Sequence, residues 1–135
     1  METACRTIVI TGASGGIGRA TAEVFAARGY RLALIARGRT GLEAAVREAE
    51  RVGAAKVIAI EADVADAHAV EAAAERAEEE LGPIDVWVND GFASAFAPFT
   101  EITPEKFRHV TEVTYFGYVY ATRSALVRML PRDAG

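Results

Sequence analysis

The sequence predicts an α/β fold, a doubly wound parallel sheet with helical crossovers, and three observations predict it. Four short apolar runs alternate with longer segments of helical period. Each run is nearly continuous in Ile, Val, Leu and Ala, the pattern of strands covered on both faces rather than the alternation of a half-exposed sheet. A glycine-rich turn joins the first run directly to the first helical segment.

The predicted strands are Thr7–Thr11, Arg31–Ala36, Lys56–Ile60 and Ile84–Asn89. Between them, apolar residues recur at helical spacing. The first helix carries Ile17, Ala20, Thr21, Val24 and Phe25; the second Leu42, Ala45, Val46 and Ala49; the third Val70, Ala74, Ala77 and Leu81. Gly29, Gly53 and the Gly82-Pro83 pair mark where these helices end. A loop from Asp90 to Thr103 leads to a last helix opening at Thr103-Pro104-Glu105, with Thr103 as N-cap and Pro104 at the first helical position. Phe107, Val110, Tyr115, Phe116, Tyr118, Val119, Tyr120, Ala121, Leu126 and Met129 leave little of that helix polar. More than one of its faces is therefore expected to be buried, against the sheet and against another subunit.

Composition bounds the function. The 135 residues form a single domain, 1–135, and 51% hydrophobic residues suffice to fill its core. A net charge of −4 disfavours nucleic acid and anionic membranes as partners, since both require a cationic excess. The first forty residues nevertheless hold six arginines against Glu2 and Glu23. The acidic run over residues 61–80 reads as a solvated helix face. Met1-Glu2-Thr3 lacks the basic start of a secretory signal, and no apolar run reaches membrane-spanning length. The one cysteine, Cys5, has no partner for an internal disulfide and reads as a passive packing residue, which points to a reducing, cytoplasmic compartment.

Thr11-Gly12-Ala13-Ser14-Gly15-Gly16-Ile17-Gly18 leaves the first strand and enters the first helix. Gly12 permits the tight turn, Gly16 lets backbone approach a pyrophosphate, and Gly18 lets helix and strand pack closely. The N–H groups and positive end of the helix, around Ser14, Gly15 and Ile17, then face the phosphates of a dinucleotide.

This T-G-x-x-x-G-I-G spacing resembles that of the short-chain dehydrogenase/reductase family, and the likeness continues along the chain from Arg6 to the Pro131–Gly135 turn. Asp63-Val64, after the third strand, corresponds to the family's pair that holds the adenine ring, and Asn89 to the first residue of its N-N-A-G motif. The resemblance implies a Rossmann-type sheet that binds a nicotinamide cofactor and moves hydride between it and an alcohol/carbonyl substrate. It also implies truncation after the fourth strand and its following long helix. A carboxylate ending the second strand would grip the ribose 2′-hydroxyl of NAD(H). Ile35-Ala36-Arg37-Gly38-Arg39 has none, and Arg37 can pair with a 2′-phosphate while Arg39 adds field, so NADP(H) is favoured over NAD(H). The alternative is that Arg37 is a solvated loop residue.

Two positions depart from the family pattern. Asn89-Asp90-Gly91-Phe92 puts a phenyl ring where a small residue normally admits the cofactor, and Thr114 replaces an Asn that supports a proton-relay water. The catalytic Ser and Tyr-x-x-x-Lys pair are absent from the chain: Lys56 and Lys106 are its lysines, and neither follows a tyrosine by one turn. His68 and His109 lack a ligand cluster or nucleophile nearby and read as surface residues, so no metal is expected. Three readings stay open: the cofactor-binding part of an oxidoreductase whose small-molecule site is completed by a missing half, a nucleotide-binding or interaction module without turnover, and a scaffold whose site Phe92 blocks. In each, self-association is expected through the last helix or through the apolar edge of the strand carrying Val86, Trp87 and Val88.

Overall fold

The computed structural model describes residues 4–135; Met1-Glu2-Thr3, and with them the reading of the chain's start, lie outside the described residues. Four parallel strands form one sheet in the order β3-β2-β1-β4: β1 (Thr7–Thr11), β2 (Arg31–Ala36), β3 (Lys56–Glu61) and β4 (Ile84–Val88). The register runs Ile8 beside Leu32 on one side and beside Val86 on the other. β3 is one residue longer than expected. β4 is one shorter, because Asn89 has already left the ladder.

Helices cover both faces. α1 (Gly16–Ala26) and α2 (Arg39–Val52) pack over Ile8, Ile10, Leu32 and Leu34, while α3 (Ala67–Leu81) packs over Val9, Ala33, Ile35, Ile58 and Ile60. Alternate residues of each central strand therefore feed two cores, which is why β1 is buried at every position and reads as an unbroken apolar run. Burying a Leu or Ile side chain contributes about 1.5–3 kcal/mol, and β1 and β2 supply five that are essentially inaccessible.

Of the stripe expected on α1, Phe25 packs against the core, but Ile17, Ala20 and Val24 do not. Gly18, Ala22 and Ala26 face the sheet, whereas Ile17 is 74% and Val24 54% exposed. Small residues at every fourth position bring the helix axis close to β1, so size and not hydrophobicity selected the buried face. α2 and α3 bury the expected residues Leu42, Ala45, Ala49 and Val70, Ala74, Ala77, Leu81. Gly29, Gly53 and Gly82 adopt positive φ at the helix ends, as the sequence suggested. Asp66 caps α3, its carboxylate accepting from the N–H groups of His68 and Ala69.

The last helical segment is less regular than expected. Thr103 caps α4 (Pro104–Thr111) through the Lys106 N–H, a π-helical stretch follows over Glu112–Phe116, and α5 (Gly117–Met129) completes it. Val113, Gly117, Ala121, Ser124 and Ala125 form its single buried stripe. The bulky residues point away: Tyr115, Phe116, Val119, Leu126 and Val127 are all exposed, so within this chain one face is covered and not several. Arg128 of α5 ion-pairs with Glu71 at 2.6 Å and Glu78 at 3.4 Å of α3. Part of the acidic run is therefore used to bind α5 instead of being only a solvated face. Cys5 is exposed, its thiol donating to the Gly29 carbonyl at 3.4 Å, and is no core filler.

Candidate functional site

Parallel strands bring all their carboxyl ends to one edge of the sheet, and the loops leaving β1, β2, β3 and β4 meet there around a cleft of about 410 Å3. The glycine loop contributes Gly12, Ser14, Gly15, Gly16 and Ile17 to its lining; Arg37 follows β2; Asp63 and Val64 follow β3. Nine of the ten expected cofactor-binding residues thus cluster, counting Gly18, which lies buried just beneath. No group of three or more metal-ligating side chains occurs among the described residues.

The glycines are needed for different reasons. Gly12 has φ +66°, and a Cβ there would come within 2.6 Å of the Asp90 carbonyl oxygen. A Cβ on Gly18 would strike the Gly12 carbonyl, so loop and helix can approach only as glycines. Gly15 and Gly16 have open space around them and face the cleft. Gly15 is the N-cap of α1, and no side chain caps the helix. The first-turn N–H groups are therefore free to receive an anion.

Arg37 is exposed on the cleft wall and has no hydrogen bond or ion pair among the described residues. Arg39 instead lies 3.4 Å from Glu61, an exposed pair that weakens its field at the cleft. Asp63 is held in a turn, accepting from the Ala65 N–H at 2.9 Å, with Val64 packed against Gly117 of α5.

Asn89 does not join them. Its amide donates to Thr122 Oγ1 and accepts from Trp87 Nε1, both at 3.1 Å, on the α5 side of the sheet. Side chains alternate in extended chain, so the next residue, Asp90, takes the cleft side and was missed by the sequence reading. Gly91 and Phe92 also line the cleft. Phe92 is 65% exposed at its rim. Strand parity counted from Val86 and Val88, which pack toward α1 and α2, is the signal that would have found Asp90.

Thr114 sits in the π-helical stretch, where its hydroxyl donates to the Ala93 carbonyl at 2.8 Å and accepts the Ala93 N–H at 3.0 Å. Its single proton is thus committed to the loop after β4, which it pins to the helix. Tyr118, one turn on, is half-buried; burial and, second, the charge of Asp90 push its phenol above the ordinary value, so it stays protonated at neutral pH. The described lysines are not beside it: Lys56 donates to the Glu80 carbonyl at the other end of the sheet.

The sequence profile of the short chain dehydrogenases matches residues 6–135. The chain is 36% identical over 132 residues to a 3-dehydrosphinganine reductase of Danio rerio, covering 95% of this chain and 40% of that one. It is 35% identical over 133 residues to dehydrogenase/reductase SDR family member 7B of Bos taurus, covering 95% and 41%. Among solved structures, a putative short-chain alcohol dehydrogenase from Sinorhizobium meliloti 1021 superposes with a TM-score of 0.90 at 27% identity, over 96% of this chain and 51% of that one. A 3-ketoacyl-ACP reductase from the same organism gives 0.88 at 29% identity, over 96% and 51%. The chain therefore spans less than half the length of these curated relatives and about half that of the solved structures. With the profile running the length of the described fold and the glycine loop at the carboxyl edge of a four-stranded parallel sheet, the chain belongs to the short-chain dehydrogenase/reductase family.

Proposed function

We propose that this chain is the cofactor-binding part of an NADP(H)-dependent oxidoreductase acting on an alcohol/carbonyl pair. The uncapped N-terminus of α1, opening into the cleft between four strand ends, carries the reading. The diphosphate would lie on the first-turn N–H groups beyond Gly15 and Gly16, the adenosine between Arg37 and Asp63-Val64, and the nicotinamide end toward Gly91 and Phe92. When bound, the cofactor supplies the hydride. The chain's own residues bind and orient it.

The preference for NADP(H) is supported by an unpaired Arg37 on the cleft wall and by Ala36, not an acid, at the end of β2. Completion of a substrate site by further chain is supported by the relatives' greater length and by the absence of a Tyr-x-x-x-Lys pair from this sequence. A cytoplasmic setting is supported by the single cysteine. No described helix is long and apolar enough to cross a membrane. Self-association is supported by the bare apolar face of α5 beside β4, which pairs with β1 on one side only.

Thr114, whose hydroxyl is spent on the Ala93 backbone, favours a second reading, a binding module without turnover. Titration with NADPH and NADH, followed by nicotinamide fluorescence, together with a hydride-transfer assay separates the two. Binding of NADPH ahead of NADH is the expected result. Turnover by this chain alone contradicts the binding-only reading, and no complex with either cofactor contradicts both.

A further inference from the structure

We propose that Asp90 limits the affinity of the cleft for its cofactor, its carboxylate opposing the diphosphate at the N-terminus of α1; the proposal rests on the dinucleotide reading above. Asp90 follows β4 with its backbone N–H held by Thr11 Oγ1 at 3.1 Å, so its position is fixed by β1 and not by a mobile loop. Its side chain turns to the cleft and passes beneath α1, where Oδ2 lies 2.9 Å from the point a Cβ on Gly18 would occupy. No hydrogen bond or ion pair to this carboxylate occurs among the described residues, although the residue is partly buried.

That placement gives the carboxylate two opposed effects. Near the first turn of a helix whose cap offers no side chain, it lies at the positive end of the dipole and stabilises the cofactor-free protein. An arriving diphosphate seeks the uncapped N–H groups of that turn and meets a like charge in a partly desolvated cleft, where repulsion is screened less than in bulk water. Arg37 stands on the opposite wall, after β2, and does not neutralise it. Asp90 thus trades cofactor affinity for stability of the free form. The burden falls equally on NADPH and NADH, because both carry the diphosphate.

The test is titration of the chain and of Asp90→Asn with NADPH and with NADH, each followed by fluorescence, with a thermal melt of the free proteins. Asp90→Asn is expected to tighten both cofactors on the order of tenfold, by the same factor for each, and to lower the melting temperature of the free form. Asp90→Ala, which removes the charge without supplying an amide donor, is expected to do the same and serves if the first variant does not fold. Unchanged or weaker binding by a folded neutral variant, with the parent chain binding, overturns the role of Asp90 and leaves the dinucleotide reading standing. No complex with any of the proteins overturns that reading and this one together.

Discussion

Thr11 Oγ1, at the end of β1, accepts the backbone N–H groups of both Asp90 and Gly91 at 3.1 Å, joining two loops about eighty residues apart in sequence. The Thr11 side chain is fully buried and also faces the Val88 carbonyl at 3.5 Å. Thr11→Val keeps the shape and deletes the acceptor, leaving two N–H groups near the floor of the cleft without a partner. The variant should lose about 1–3 kcal/mol of stability in urea unfolding and bind NADPH more weakly, whereas Thr11→Ser should retain both.

Arg37 and Arg39 are two residues apart and differ in what they touch. Arg37 has no partner on the cleft wall, and Arg39 is paired to Glu61. Arg37→Ala should therefore weaken NADPH by about tenfold or more while leaving NADH nearly unchanged, the loss expected for one charge-assisted contact to a 2′-phosphate. Arg39→Ala should change either by less than about threefold, as an exposed ion pair contributes little. Equal losses for NADPH and NADH at Arg37 would show that it does not read the 2′-phosphate.

Strands and the glycine loop were legible because each has a physical cause confined to a few neighbours. Two-sided burial makes β1 and β2 read as unbroken apolar runs, and a turn with positive φ needs Gly12. The buried face of α1 was not legible from hydrophobicity, because Gly18, Ala22 and Ala26 are selected for closeness to β1 while the larger Ile17 faces the cleft and Val24 faces out. Asn89 and Asp90 were confused for a related reason. Motif likeness locates a segment, but the parity of an extended chain decides which of two adjacent side chains enters the cleft, and that parity depends on where β4 ends. The ion pairs of Arg128 with Glu71 and Glu78 depend on the packing of α5 on α3, which no local pattern encodes.

The glycine loop should show a graded response to alanine. Gly15 has extended backbone and no neighbour within 4 Å, so Gly15→Ala should cost about 0.5 kcal/mol or less. Gly16 has φ +54° with open space, and Gly16→Ala should cost about 1–2 kcal/mol of backbone strain. Gly12→Ala adds a clash with backbone at Asp90 to a positive φ and should exceed both, by more than about 2 kcal/mol. Equal melting temperatures for the Gly12 and Gly15 variants would contradict the close approach of the two loops.

Glu71 accepts from Arg128 at 2.6 Å and from Ser124 at 2.7 Å, and these contacts hold its carboxyl below the ordinary glutamate range, the arginine being the larger cause. A depressed folded-state value means the unfolded chain takes up the proton first as pH falls. The stabilisation is present above the ordinary value and is lost as pH falls toward the folded one. Glu71→Gln should thus be less stable than the parent at neutral pH, and the difference should shrink on acidification below about pH 4.5. Because the Glu71 side chain is 47% exposed, solvent screening keeps the neutral-pH difference small. A difference that does not change with pH across that interval would assign the effect to packing alone.

The exposed side of α5 bears on assembly. Val119 and Leu126, seven residues apart and therefore on one face, are 45% and 44% exposed, and they border a shallow groove of about 580 Å3 that also includes Tyr118 and Leu130. A contiguous apolar surface of this kind, next to a strand with one unpaired edge, favours burial against another chain. The chain should therefore sediment as a dimer or larger species at micromolar concentration. Replacing both residues by glutamate places charges on a surface already in water, so the folded monomer should lose only about 0.5 kcal/mol or less per site and keep its far-ultraviolet circular dichroism. The same pair of charges would be desolvated in an association through α5, so the variant should sediment as a monomer. If the double variant stays associated while folded, the contact runs through the unpaired edge of β4 instead; a monomeric parent chain at micromolar concentration would contradict both routes.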